Sequence, residues 1–125
     1  MLVVLAGAPW IAGAAPRYYD VGAGPGPHDV AASPAPGRPV YYTGQRNGTL
    51  GILDPATGLV VEVKLGARSA PHGVIVGPDG APWITDGGLN AIVRVDPTTS
   101  EVRVYPLPAG RGSANLNTAV FDRRG

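Results

Sequence analysis

Pro71-His72-Gly73-Val74-Ile75-Val76-Gly77-Pro78-Asp79-Gly80-Ala81-Pro82-Trp83-Ile84-Thr85-Asp86 is the stretch whose reading decides the fold. Two β-prone runs, His72–Val76 and Ala81–Thr85, flank Gly77-Pro78-Asp79-Gly80. Proline sets φ at the second position of a tight turn, aspartate tolerates the third, and glycine takes the positive φ that follows. The segment therefore predicts a β-hairpin. Two more β-prone runs follow, Ala91–Asp96 and Glu101–Leu107, joined by Asp96-Pro97-Thr98-Thr99-Ser100. There the aspartate side chain can bond the turn backbone while proline again sets φ.

The same pattern stands upstream. Val40-Tyr41-Tyr42-Thr43 aligns with Pro82-Trp83-Ile84-Thr85 at an offset of 42 residues, Tyr41 to Trp83. Ile52-Leu53-Asp54-Pro55 aligns with Arg94-Val95-Asp96-Pro97, and Val61–Leu65 with Arg103–Leu107, at the same offset of 42. Pro27-His28-Asp29-Val30 aligns with Pro71-His72-Gly73-Val74 at 44, the difference falling in the turn Ser33–Arg38. A third copy opens where Asn117-Thr118-Ala119-Val120-Phe121 takes the place of His72–Val76. Shared offsets over separate segments mark a true internal repeat.

Four short antiparallel strands in a little over forty residues is the size of one β-propeller blade. A lone blade exposes both sheet faces and needs neighbours to bury residues such as Trp83, Ile84, Ile92 and Val93. The expected fold is all-β: a partial β-propeller over residues 16–125, with blade 1 at about 27–66, blade 2 at about 71–108 and the start of blade 3 at 114–125. Propellers use roughly four to eight blades. The chain is accordingly expected to be a fragment that cannot close a ring alone and has open, association-prone flanks. Tyr18-Tyr19-Asp20-Val21 lies 7 residues before His28, as Leu65 lies 7 before His72, so it is expected to be the fourth strand of a ring-closing final blade.

Composition narrows the partners. Of 125 residues, 15% are charged, the net charge is +1, and the ten Lys and Arg are scattered, so a nucleic-acid partner has no electrostatic footprint. Glycine (19) and proline (14) would suggest disorder if they lacked a period, but here they fall between the β-prone runs and mark turns. Cysteine is absent, which removes disulfides and thiolate metal sites and leaves the redox compartment open.

Residues 1–15, MLVVLAGAPWIAGAA, are apolar and end in small residues, with Ala12-Gly13-Ala14 fitting a cleavage site. They form a candidate signal segment without the usual basic start, too short for a membrane span. Export to the periplasm or exterior is the expectation, a cytoplasmic protein the alternative. A competing reading is a strand, because Gly7–Ile11 repeats as Gly80–Ile84. Trp83, however, precedes Tyr105 by 22 residues and Trp10 precedes Tyr19 by only 9, too few for two intervening strands.

The connection from the outer strand of one blade to the inner strand of the next arrives beside the central channel. His28 and His72 end that connection, and Asn117 takes the matching place in the third copy. With Asn115 and Asp86 they are the candidate substrate-binding residues of a small-molecule site at the channel mouth. Histidine titrates near neutrality and serves as base, acid or ligand; the competing role for Pro-His-Gly is a structural corner. Asp86 follows the second strand's Thr, as Gly44 does, and one carboxylate makes a poor cation site; loop capping is its alternative. Trp83 and Tyr41 read as packing aromatics, Asp54 and Asp96 as turn formers. No catalytic residue and no metal ligand is assigned.

The motifs Pro71-His72-Gly73-Val74, Gly77-Pro78-Asp79-Gly80-Ala81-Pro82-Trp83-Ile84-Thr85-Asp86, Asn90-Ala91-Ile92-Val93-Arg94-Val95 and Tyr105-Pro106-Leu107-Pro108 resemble the repeat of the virginiamycin B lyase (streptogramin lyase) family. The likeness spans about residues 17–125 and is strongest in the second copy. It implies a seven-bladed parent ring and an antibiotic-resistance activity: Mg²⁺-dependent opening of a cyclic depsipeptide at its ester by elimination. A histidine base and a glutamate metal ligand are implied in late blades. His28 and His72 match the motif letters but sit in early blades, preceded two residues earlier by Gly26 and Ala70, and Asp86 replaces the motif's Glu. The resemblance thus places Mg²⁺ ligands and catalytic groups in the remaining blades of the same protein. This piece alone is expected to be inactive. A non-catalytic ligand-binding propeller and a gluconolactonase-type metal-dependent lactonase are the alternatives.

Overall fold

The structure, a computed structural model, describes residues 15–34, 37–108, 110 and 112–125. The candidate signal segment therefore lies, but for Ala15, outside the described residues. The described residues contain no helix, and none long and apolar enough to cross a membrane. They fold as two four-stranded antiparallel sheets, each in simple meander order. Blade 1 comprises β1 (Pro27–Ala32), β2 (Val40–Gly44), β3 (Thr49–Leu53) and β4 (Val60–Lys64). Blade 2 comprises β5 (Pro71–Val76), β6 (Pro82–Asp86), β7 (Ala91–Val95) and β8 (Val102–Pro106). The 42-residue offset reappears as geometry, with Tyr41 opposite Ile52 in blade 1 and Trp83 opposite Arg94 in blade 2.

The turns form as their chemistry dictates. In the β5–β6 hairpin Gly80 N–H donates to the Gly77 carbonyl at 2.9 Å and Gly77 N–H to the Ala81 carbonyl at 2.8 Å. Asp54 and Asp96 organise the β3–β4 and β7–β8 turns by accepting N–H bonds from Ala56 (2.8 Å) and from Thr98 and Thr99 (2.9 Å each). Such Asx bonding satisfies turn backbone that no ladder can reach.

Strand alternation sends one set of side chains from each blade into a shared core. Tyr41, Leu50 and Leu65 from blade 1 and its exit meet Val74, Ile84, Val93 and Val95 of blade 2 in one buried cluster. The sheets approach most closely at the inner strands β1, β2 and β5, while the outer strands β4 and β8 are largely exposed. This fan is how propeller blades pack.

Two flanking segments differ from the strands expected of them. Residues 17–21 form no strand; the Tyr19 hydroxyl instead donates to the Pro55 carbonyl at 2.8 Å, holding the segment against the β3–β4 turn. Residues 112–125 also form no strand, since they contain no second strand with which the first could pair. They nonetheless run along blade 2 where a third inner strand belongs, and Phe121 packs edge-on to Trp83 with ring centroids 5.8 Å apart.

Candidate functional site

Each inner strand begins with a β-bulge, between Pro27 and Val30 in β1 and between Pro71 and Gly73 in β5. A bulge re-aims side chains and breaks the ladder. Here it carries the histidines. His28 and His72 occupy the second position of adjacent inner strands, and their rings meet with centroids 3.9 Å apart at an interplanar angle of 50°. His28 is exposed, whereas His72 is half-buried and its Nδ1 is buried without a hydrogen-bond partner. The bulges thus bring two imidazoles of adjacent inner strands into contact, with the His72 Nδ1 enclosed between the blades.

The broken ladder leaves backbone groups to be satisfied by side chains, and a threonine repeated in both copies does this. Thr43 Oγ1 accepts from Asp29 N–H at 3.0 Å and donates to the His72 carbonyl at 2.8 Å. Thr85 Oγ1 accepts from Gly73 N–H at 2.9 Å and donates to the Asn117 carbonyl. Asn117 thus stands to blade 2 as His72 stands to blade 1. Gly73 is required by this closeness: a Cβ there would lie 2.5 Å from the Asn117 carbonyl oxygen and 2.9 Å from Thr85 Oγ1.

Of the other candidates, Asn117 and Asn115 are exposed, and Asn115 has a positive φ of 48° with its N–H bonded to Ser113 Oγ at 3.3 Å. Asp86 is completely buried. Its carboxylate accepts from Ser69 Oγ at 2.5 Å, Ala70 N–H at 3.0 Å and Leu89 N–H at 2.9 Å. It therefore ties the blade 1–blade 2 connection to the β6–β7 turn, the loop-capping arrangement, and its hydrogen bonds go to neither histidine.

Asp29, Thr43 and Tyr42 were not picked out by sequence reasoning. The signal for Thr43 was present, because Thr43 and Thr85 coincide at the 42-residue offset. Tyr42 lies on the face of blade 1 away from blade 2, with its hydroxyl buried and unpaired. Burial first, and then the Glu62 charge, raises its phenol above the ordinary tyrosine range. It lines a cleft of about 380 Å³ with Arg17, Tyr19, His28, Val30 and Leu53.

No three His, Cys, Asp or Glu side chains group as a metal site among the described residues. The two carboxylates on these strands are also engaged: Asp86 as above, and Asp29 by Val30 N–H at 2.9 Å and Val74 N–H at 3.0 Å. Mg²⁺ wants several free oxygens, so these residues do not fit a Mg²⁺ site of their own.

Comparison with known proteins bears on the architecture. Virginiamycin B lyase from Staphylococcus aureus superposes with a TM-score of 0.70 at 23% identity, over 82% of this chain and 33% of that one. The fold is that of the virginiamycin B lyase propeller. A catalytically inactive histidine-to-alanine variant of the Staphylococcus aureus enzyme, solved with quinupristin, matches with the same TM-score of 0.70 and 23% identity, again over 82% and 33% of the two chains. A streptogramin B lyase structure matches with a TM-score of 0.60 at 24% identity, over 67% of this chain and 27% of that one. The hydrazine synthase of Kuenenia stuttgartiensis matches at 0.57 and 21%, over 75% and 25%. The chain therefore spans about a third or less of each solved structure. No protein-family model and no curated protein matches the sequence.

Proposed function

We propose that these blades form part of a streptogramin B lyase-like propeller, exported by the apolar residues 1–15, whose ring is completed by further blades of the same protein. The observation that carries this reading is the contact of His28 with His72 at equivalent bulges of adjacent inner strands. It gives the rim two neighbouring imidazoles within the fold shared with the virginiamycin and streptogramin lyases. In this reading His28, His72 and the exposed Asn115 and Asn117 contact a cyclic depsipeptide. Catalytic groups and Mg²⁺ ligands lie in blades outside this chain, and the chain by itself is inactive. The reaction is an elimination. A base removes the proton from carbon next to a carbonyl, that electron pair forms a carbon–carbon double bond, and the ester C–O bond breaks with its electrons leaving on the carboxylate. Mg²⁺, when bound, polarises the substrate and stabilises developing negative charge.

The test is incubation of the protein bearing these blades with quinupristin, with Mg²⁺ and with EDTA, in ¹⁸O-water. Ring opening that needs Mg²⁺ and incorporates no ¹⁸O is the expected outcome; unchanged quinupristin would remove the lyase reading. A second reading, a ligand-binding propeller without turnover, is favoured by the full engagement of Asp29 and Asp86. Saturable calorimetric binding of quinupristin without product would select it.

A further inference from the structure

The bulge that carries His72 is held from both sides by the neighbouring blade. In blade 1 the equivalent bulge is self-sufficient, because Asp29 Oδ1 accepts the next N–H, that of Val30, at 2.9 Å. Blade 2 has glycine at the equivalent position, and Gly73 has no side chain with which to do the same. The orphaned donor, Val74 N–H, is taken instead by Asp29 Oδ2 across the blade boundary at 3.0 Å. On the other side of the bulge the His72 carbonyl accepts the Thr43 hydroxyl proton at 2.8 Å. Thr43 in turn is oriented by the Asp29 N–H at 3.0 Å and is completely buried. One carboxylate and one hydroxyl of blade 1 thus bracket the residues His72–Val74 at both ends.

We propose that Asp29 and Thr43 are positioning residues for His72: a clamp between blades that fixes the β5 bulge and so aims the His72 imidazole at its partner His28. Neither clamp residue needs to touch a ligand. A buried threonine with both hydroxyl functions used leaves its acceptor one place to sit, and a carboxylate shared by two strands couples their bulges. The importance of His72 for ligands rests on the function proposed above, but its position does not, and the two are separable by experiment.

The measurement is proton NMR of the isotopically labelled 125-residue chain, following nuclear Overhauser cross-peaks between the His28 and His72 imidazole protons. The native chain shows the cross-peak. Thr43→Val, which keeps the shape but removes both hydroxyl bonds, loses it, and Thr43→Ser restores it while the methyl signals of Leu50 and Val93 stay dispersed. Should Thr43→Val fail to fold, Asp29→Gly decides, since it installs the residue blade 2 already tolerates and removes the Val74 bond together with the local Val30 bond; its cross-peak is also lost. Persistence of the cross-peak in folded Thr43→Val or in Asp29→Gly would overturn the clamp. A lost cross-peak in the Thr43→Val chain, beside a complete protein bearing these blades that never binds quinupristin, would leave the clamp standing and remove the function instead.

Discussion

Blade 1 and blade 2 carry the same repeat, yet their side chains live in different surroundings. Tyr41 points from blade 1 toward blade 2 and is 2% exposed, while its equivalent Trp83 points from blade 2 toward residues 117–121 and is only half-buried. Trp83 makes do with local partners, stacking on Tyr105 at 5.7 Å and receiving the Arg94 guanidinium at 6.0 Å from its ring. The inner strands invert the comparison. In β5, covered on both sides, Pro71, Gly73 and Val74 are buried, whereas β1 shows Pro27, His28, Val30 and Ala32 to solvent. Identical sequence logic thus gives unequal burial, because in a stacked repeat the burial is supplied by the neighbour.

The sharpest test of this inequality is paired truncation. Tyr41→Ala removes an aromatic ring from a sealed interface and is expected to cost about 3–5 kcal/mol, the range for large core aromatics. Trp83→Ala removes a larger ring from a half-covered face and is expected to cost clearly less. Denaturant midpoints of the two variants check the order. Equal losses would mean that residues 117–121 seal blade 2 as well as blade 2 seals blade 1.

The two threonines give a second, smaller contrast. Thr43→Val strands the Asp29 N–H and the His72 carbonyl inside a closed interface, for about 1–3 kcal/mol. Thr85→Val does the same to Gly73 N–H, but the Asn117 carbonyl belongs to an exposed segment and can turn to water. Its loss should be smaller, and hydrogen exchange should accelerate at Gly73 more than at the rest of blade 2.

These contrasts mark how far the sequence could be read. The strands and turns were legible because they depend on local chemistry: Gly77–Gly80 and the Asp-Pro turns form where the residues place them. The histidine pair was legible because the repeat makes His28 and His72 equivalent, and the fold turns equivalence into adjacency. Asp86 illustrates the limit. Its buried bonds to Ser69, Ala70 and Leu89 join segments up to 17 residues apart, and nothing in the local pattern separates a loop-capping carboxylate from one facing a ligand. Asp29 was hidden for the converse reason, since its partner Val74 lies 45 residues away in the next blade. Residues 17–21 and 112–125 have strand-like sequence, but a strand needs a partner that these segments do not contain.

A third contrast lies in the turns. Gly58 and Ser100 hold the same place after Asp54 and Asp96, with φ of 79° and 60°. Each donates its N–H to that aspartate's carbonyl, at 2.8 and 2.9 Å. Glycine adopts this region freely, while a residue with a Cβ does so at a cost of about 1 kcal/mol. Ser100→Gly is therefore expected to stabilise blade 2 by about 1 kcal/mol, and Gly58→Ser to destabilise blade 1 by a similar amount. Thermal midpoints moving in the same direction for both would break the equivalence of the two turns.

The smallest effect expected is a pH dependence that only blade 2 possesses. Asp54 and Asp96 are matched: hydrogen bonds from Thr57 and Ala56 in one turn, and from Thr99 and Thr98 in the other, hold both below the ordinary aspartate range. They contribute a background common to both blades. Asp79 has no counterpart, since the corresponding turn Ser33–Arg38 contains no carboxylate. Partial burial pushes the Asp79 carboxyl up, but the Arg94 guanidinium at 2.8 Å, the Ala81 N–H and the Trp83 indole N–H together outweigh it and hold the group below its usual value. A carboxyl depressed in the folded state stabilises fully above the unfolded aspartate value of about 3.9, and that contribution disappears as pH falls through the folded value. With the side chain 41% exposed, solvent screening limits the effect to well under about 1 kcal/mol. Asp79→Asn should accordingly lower the denaturation midpoint slightly at neutral pH and converge with the native chain in acid. The same asparagine should leave exchange protection in blade 1 unchanged at either pH. An acid dependence that survived the substitution undiminished would assign it to the turn aspartates that the two blades share, and would erase this difference between them.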